Sequence, residues 1–211
     1  VFYDDMLRHN VRPLTLGGDH TLSLPILRAM AKKHGPMALL HIDAHADINS
    51  HMFGEDIAHG TPFRRAFEEE LLDADHVFQI GLRGTGYTAE DFDWASERGF
   101  QVVQAEQLWH QSAAPLMDQI RQKIGAQPVY LSFDIDSLDP AYAPGTGTPE
   151  IGGLTSIQAL EIIRGCRGLS LVGADLVEVS PPYDTNGNTA LLAANLLFEM
   201  LCVLPGVAYR D

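Results

Sequence analysis

The chain has 211 residues, 45% of them hydrophobic and 20% charged, with a formal net charge of −14; that is length for one substantial core and the composition of an ordinary soluble protein. The acidity disfavours nucleic acid and anionic membrane as partners, since both require basic patches, and suits a cationic ligand or metal ions. No apolar run approaches the ~18 residues of a membrane span, and the first residues carry no signal-peptide pattern. Two cysteines, Cys166 and Cys202, sit in apolar surroundings and are expected in the core. They make no disulfide framework, which fits a reducing, cytoplasmic compartment.

One domain is expected over residues 1–211, truncated at its N-terminus, because the opening Val1-Phe2-Tyr3-Asp4-Asp5-Met6-Leu7 reads as the inside of a helix. Val11 to Leu16 is a short strand that closes on Gly17-Gly18-Asp19-His20, where glycines allow a tight turn. Ser23 to His34 has apolar residues at helical spacing, and Met37 to Ile42 is the next strand. Asn49 to Ala58 has no periodicity and is a loop able to wall a pocket. A helix over Phe63 to Leu72 carries a solvated Glu68-Glu69-Glu70 face; Val77 to Leu82 is a strand, Ala89 to Arg98 a helix, Gln101 to Ala105 a strand and Ala114 to Ile124 a helix. Val129 to Phe133 is a strand ending in Asp134-Ile135-Asp136, followed by a loop rich in proline and glycine from Asp139 to Gly153. A helix from Thr155 to Arg164, a strand from Leu169 to Val177 ending at Glu178, and a helix from Thr189 to Leu201 complete the chain.

Strands alternating with helices imply an α/β fold: three layers, with a mostly parallel sheet covered by helices on both faces. Ligands of such sheets bind at the carboxyl ends of the strands, where His20, Asp43, Asp134 and Glu178 all fall. In Leu39-Leu40-His41-Ile42-Asp43-Ala44-His45-Ala46-Asp47, an extended backbone sends Asp43, His45 and Asp47 to one side. Nothing in that stretch supplies a positive partner, and buried carboxylates without one are costly unless they bind metal. With His20, Asp134 and Asp136 the set holds four carboxylates and two imidazoles, too many for one ion and suited to two hard ions such as Mn²⁺. Two ions about 3.5–4 Å apart can lower the pKa of a shared water towards ~7. Taken alone, Asp134 and Asp136 read first as turn formers before Leu138-Asp139-Pro140, a structural role assigned to Asp139. His41 lies on the ligand side one residue pair deeper, as a core or supporting residue; His9, His34, His76 and His110 are placed in helices, at ends or on polar faces.

Gly17-Gly18-Asp19-His20, Asp43-Ala44-His45-Ala46-Asp47, His59-Gly60, and Ser132-Phe133-Asp134-Ile135-Asp136 through Pro144-Gly145 to Gly153 resemble, in order, the signature motifs of the ureohydrolase family of arginases and agmatinases. The resemblance implies an arginase-like fold and a hydrolase with two Mn²⁺ per chain that releases urea from a guanidino group. By motif, His20 and Asp47 would bind one ion, His45 and Asp136 the other, with Asp43 and Asp134 bridging. Glu178 matches the acid that holds the guanidinium, and His59 the histidine that shuttles a proton to the leaving amine; their plainer readings are a capping acid and an exposed loop histidine. Pro140 to Glu150 is similar to the agmatinase branch, and Met52-Phe53-Gly54-Glu55 with His59 to Arg65 is most similar to its enzymes for 4-guanidinobutyrate and 3-guanidinopropionate. Agmatine ends in a cation and those acids in a carboxylate, so Glu55, Asp56 and Arg83 are the open candidates for reading the tail. The family also implies a homo-oligomer, trimeric or hexameric. The rivals are a non-catalytic or truncated member and a related metal-dependent deacetylase, though the adjacent histidines that mark the latter are absent.

Overall fold

The computed structural model describes residues 2–9, 11–86 and 90–208. Its elements are α1 (Phe2–Arg8), β1 (Leu14–Leu16), α2 (Ser23–His34), β2 (Met37–Ile42), α3 (Pro62–Glu68), β3 (Leu72–Leu82), α4 (Glu90–Glu97), β4 (Gln101–Gln104), α5 (Ala114–Ile124), β5 (Pro128–Asp134), α6 (Ser156–Gly165), β6 (Ser170–Val177) and α7 (Asn188–Val203). The strands form one six-stranded sheet in the order β1-β6-β5-β2-β3-β4, with every pairing parallel. α1 to α4 cover one face through Leu7, Leu24, Leu27, Met30, Phe63 and Trp94. α5 to α7 cover the other through Met117, Ile120, Ile162, Leu196 and Met200. The three layers follow from β2, which is buried along its whole length and sends Met37 and Leu39 to one core, Ala38, Leu40 and Ile42 to the other.

Local chemistry sets several of the boundaries. Lys32, Lys33 and His34 complement the C-terminal dipole of α2, and Gly35, at φ 73°, ends it. Thr155 and Gln158 cap α6 reciprocally. Pro13 precedes β1, which runs for three residues rather than from Val11. The helix expected to reach Leu72 stops at Glu68, and Glu70 turns the chain at φ 56° into a strand that starts five residues before Val77. Asp73, Asp75 and His76 made that part of β3 look unlike a buried strand. His76 therefore lies in a strand, beside Asp73 at 2.8 Å, and His110 in a turn at φ 57°, neither in a helix. The expected start of α4 at Ala89 lies outside the described residues. Cys166 is buried, which pushes its thiol up to about 12, whereas Cys202 is only half-buried rather than in the core. Among the described residues no helix is long and apolar enough to cross a membrane.

After β2 the chain proceeds to β3 on one side, and after β5 it proceeds to β6 on the other. The loops leaving these two neighbouring strands diverge and open a crevice at their carboxyl ends.

Candidate metal centre at the carboxyl edge of the sheet

That crevice collects the polar residues. The chain leaves β2 through Asp43 and Ala44, whose carbonyl accepts the N–H groups of Arg83 and Gly84 at 2.9 and 2.8 Å. A side chain at Gly84 would place its first carbon 2.3 Å from the His45 ring, so a bare backbone is required there. β5 ends in a short 3-10 turn, Ile135–Ser137, capped by Asp134, whose Oδ1 accepts Asp136 N–H at 2.8 Å. Asp43 makes the same turn, its Oδ1 accepting His45 N–H at 2.7 Å. The turn-forming and site readings of these aspartates are thus compatible, because one carboxylate oxygen serves each. Asp139 does have the structural role, accepting N–H groups of Ala141, Gly152 and Gly153.

The remaining oxygens converge. Nδ1 of the fully buried His20 lies 2.9 Å from Asp47 Oδ2, 3.2 Å from Asp43 Oδ2 and 3.3 Å from Asp134 Oδ2. None of these contacts has hydrogen-bond geometry. His45 Nδ1 lies 3.1 Å from Asp136 Oδ2 and 3.6 Å from Asp43 Oδ1. Asp43 reaches both histidines, whereas Asp134 approaches His20 alone. Thr148 donates to Asp136 Oδ2 at 3.1 Å, and Glu150 stands 3.8 Å from the far side of His45. Two donor groups result, one about His20, His41, Asp43 and Asp47 and one of Asp43, His45 and Asp136.

Charge in this cage is unbalanced without cations. Burial, with the Asp136 and Asp43 carboxylates, holds the Asp134 pKa well above its usual value. Burial lowers the His20 imidazole, but Asp134, Asp43 and Asp47 together drive it well above the ordinary histidine value. His45 is likewise lowered by burial and pushed up by Asp136 and Asp43, to about 12. Such a set of mostly oxygen donors with one imidazole at each centre fits hard divalent cations better than tetrahedral zinc.

Beneath the cage a polar row crosses the sheet. Gln79 of β3, His41 of β2, Ser132 of β5 and Asp175 of β6 are cross-strand partners in register, and all four are fully buried. Ser132 donates its single hydroxyl proton to Asp175 Oδ1 at 2.7 Å, so it accepts from His20 Nε2–H at 2.8 Å. That assignment leaves the lone pair of a neutral His20 ring on Nδ1, facing the carboxylates, as a metal ligand requires. Ser23 and Tyr130 donate to Asp175 Oδ2, each at 2.7 Å. On the other side of the row, His41 Nε2 meets Asp43 Oδ2 at 2.7 Å. Of the row, residue spacing singled out only His41.

Glu178 leaves β6 at φ 64° and accepts the His20 backbone N–H at 2.7 Å; Asp47 also has positive φ, at 51°. Non-glycine residues in that region cost on the order of 1–3 kcal/mol each and concentrate at functional sites. Burial raises the Glu178 pKa. His59 comes from the loop after Asp47, which is folded back by Asn49 N–H and Nδ2 on the Gly60 carbonyl and by a Met52–Glu55 bridge with Phe53 and Gly54 at its tip. The His59 ring stacks on Phe53 with centroids 5.9 Å apart, and its buried Nε2 has no hydrogen-bond partner.

His45, Asp47, Asp134, Asp136, His59 and Glu178 line one cavity of about 420 Å³, with Met52, Asn49 and Thr148. Glu55 and Asp56 are exposed outside it. Arg83 is committed elsewhere: all its N–H groups go to the carbonyls of Gly81, Asp136, Ser137, Leu138, Glu150 and Ile151, at 2.7–3.3 Å. The three candidates for reading a substrate tail are therefore not among the cavity's walls.

Residues 2–202 match the family model described as the Arginase family. The chain is 72% identical over 208 residues to a guanidinobutyrase of Pseudomonas aeruginosa, covering 99% of this chain and 65% of that protein. It is 62% identical to the mitochondrial guanidino acid hydrolase of Homo sapiens, covering 97% of this chain and 58% of that one. Among solved structures, proclavaminate amidino hydrolase from Streptomyces clavuligerus superposes with a TM-score of 0.83 at 45% identity, over 89% of this chain and 62% of the other. The chain thus spans about two thirds or less of the length of these relatives. On this match, and with an arginase-like sheet and crevice, the chain belongs to the arginase family.

Proposed function

We propose that this chain is the catalytic part of a manganese-dependent ureohydrolase that cleaves a linear guanidino acid, 4-guanidinobutyrate foremost, to urea and an amine. The observation that carries this reading is the convergence of two histidine Nδ1 atoms on one shared carboxylate, Asp43, within a cage of four aspartates. His20, Asp47, Asp43 and Asp134 would hold one ion, and His45, Asp136 and Asp43 the other. When bound, two Mn²⁺ ions supply Lewis acidity that lowers the pKa of a shared water and polarises the substrate.

The chain's own residues do the rest. A guanidinium is a poor electrophile because its charge is delocalised, and it must be fixed before its carbon can be attacked. Glu178, a half-buried carboxylate on the cavity wall, accepts guanidinium N–H groups there and keeps the carbon aimed at the cage. His59, on the same wall with an unpartnered Nε2, holds and delivers a proton to the leaving amine. The guanidino-acid substrate is supported by the names of the relatives at 72% and 62% identity. A cytoplasmic homo-oligomer, trimeric or hexameric, built on one ureohydrolase domain completes the proposal.

The test is urea release by Mn²⁺-loaded protein from 4-guanidinobutyrate, 3-guanidinopropionate, agmatine and arginine, with metal content measured alongside and His45→Ala as control. Release from 4-guanidinobutyrate, lost in the control, is expected. Two bound ions with no urea from any substrate would overturn the reading.

A further inference from the structure

The metal-site reading leaves Gln79 and His41 unused, although both are buried polar residues directly beneath the cage. His41 belongs by position to the donor group around His20, yet its hydrogen bonds remove it from that group. The Ala46 carbonyl lies 2.7 Å from Gln79 Nε2. A carbonyl can only accept, so the amide nitrogen, not the amide oxygen, must face it. The second N–H of the same nitrogen points at His41 Nδ1, 3.0 Å away, which is therefore the unprotonated ring nitrogen. The imidazole proton then sits on Nε2 and is donated to Asp43 Oδ2 at 2.7 Å. Both ring nitrogens are occupied, and the ring is wedged against Phe63 with centroids 4.1 Å apart.

We infer that Gln79 and His41 are positioning residues for Asp43: the amide fixes the imidazole tautomer, and the imidazole N–H fixes the rotation of the one carboxylate that reaches both histidine centres. This rests on the metal reading above. A cost accompanies the arrangement, since Gln79 Oε1 is buried without a partner. Such a group bears a desolvation cost that an apolar side chain in the middle of β3 would avoid. The glutamine is consistent with a task other than packing. Held at Oδ1 by His45 N–H and at Oδ2 by His41, Asp43 has no free rotation about its terminal torsion. One oxygen is thereby assigned to each centre.

The experiment measures Mn²⁺ affinity of the intact protein by competition with a chelator, together with the paramagnetic resonance signature of the coupled ion pair. The variants are His41→Phe, His41→Gln and Gln79→Met, and the thermal midpoint of each metal-free protein reports folding. His41→Phe should weaken Mn²⁺ binding by about 10–100-fold and alter the coupled signature. His41→Gln, which keeps an N–H donor near the position of Nε2, should restore most of the affinity, and Gln79→Met should fall between. A purely structural role would instead lower the midpoint of all three variants without moving affinity in this order. Wild-type protein that takes up no manganese overturns the metal reading and this inference with it. Wild type binding two ions while folded His41→Phe binds them equally well overturns the positioning role alone.

Discussion

The two halves of the buried polar row do opposite jobs with opposite chemistry. Towards β6 it ends in a full carboxylate, Asp175, which takes three hydroxyl protons and so makes Ser132 an acceptor for the His20 ring. Towards β3 it is a neutral amide and imidazole that deliver a proton to Asp43. Each residue of the cage is met from below by the partner its own chemistry requires. A histidine that offers Nδ1 upward must lose its other N–H to an acceptor, whereas a carboxylate between two cations must be gripped by a donor.

Removing Asp43 takes away the one carboxylate that both histidine centres approach. Asp43→Ala should leave neither ion bound and bring urea release to background, read by metal analysis and a single-turnover assay. Breaking one half should hurt in a different currency. Ser132→Ala leaves the His20 N–H buried without its acceptor, and should cost about 1–3 kcal/mol in urea unfolding of the metal-free protein while also weakening metal binding. Tyr130→Phe sharpens the contrast, because it strips one donor from Asp175 without touching a residue of the cage. A loss of about 1.5–3 kcal/mol in unfolding is expected for a hydrogen bond to a charged group, with metal affinity unchanged.

Asp139 lies outside the row and isolates the effect of a carboxylate that only shapes a loop. Burial raises its pKa, but N–H groups of Ala141, Gly153 and Gly152, with Arg83 nearby, bring it below the usual value. A depressed folded-state pKa contributes stability that is present above the unfolded value and lost as pH falls through the folded one. Metal-free Asp139→Asn should therefore be less stable than wild type at about pH 7, by under about 1 kcal/mol once solvent screening is allowed for. The two should converge as pH falls through the depressed folded-state value, measured by denaturant titration across pH. The smallest effect concerns backbone strain away from the site. Glu70→Gly, at an exposed residue with φ 56°, should gain up to about 1 kcal/mol with no change in metal binding.

Much of the scaffold was readable because periodicity is local: α2, β2 and α5 have the limits that their apolar spacing implies. The upstream half of β3 was not, since Asp73, Asp75 and His76 carry the polarity of a loop while pairing as a strand. Within the site, Asp134 and Asp136 could be placed from their position after an apolar run, whereas the extended backbone assumed for Asp43, His45 and Asp47 is not found: β2 ends at Ile42, the chain turns at Ala44 and His45, and Asp47 has φ 51°. Gln79, Ser132 and Asp175 could not be placed, because what unites them is cross-strand register, which no spacing along one chain encodes. The one available signal was a single polar residue inside each of several otherwise apolar strands. Arg83 stayed ambiguous for a related reason: its partners are main-chain carbonyls, which have no letter in the sequence.

The same row has a consequence for how the protein assembles. Sliding β2 by a single residue would set Leu40 or Ile42 opposite Ser132 in place of His41 and turn Asp43 towards the opposite face, while sliding β5 against β6 would part Asp175 from the hydroxyls of Ser132 and Tyr130. Each of those errors strands a buried polar group, at about 1–3 kcal/mol apiece and more for a charge. A mispaired sheet is penalised by the same four residues that lie beneath the candidate metal cage. Strand register and the floor of the candidate metal cage are thus specified by the same residues.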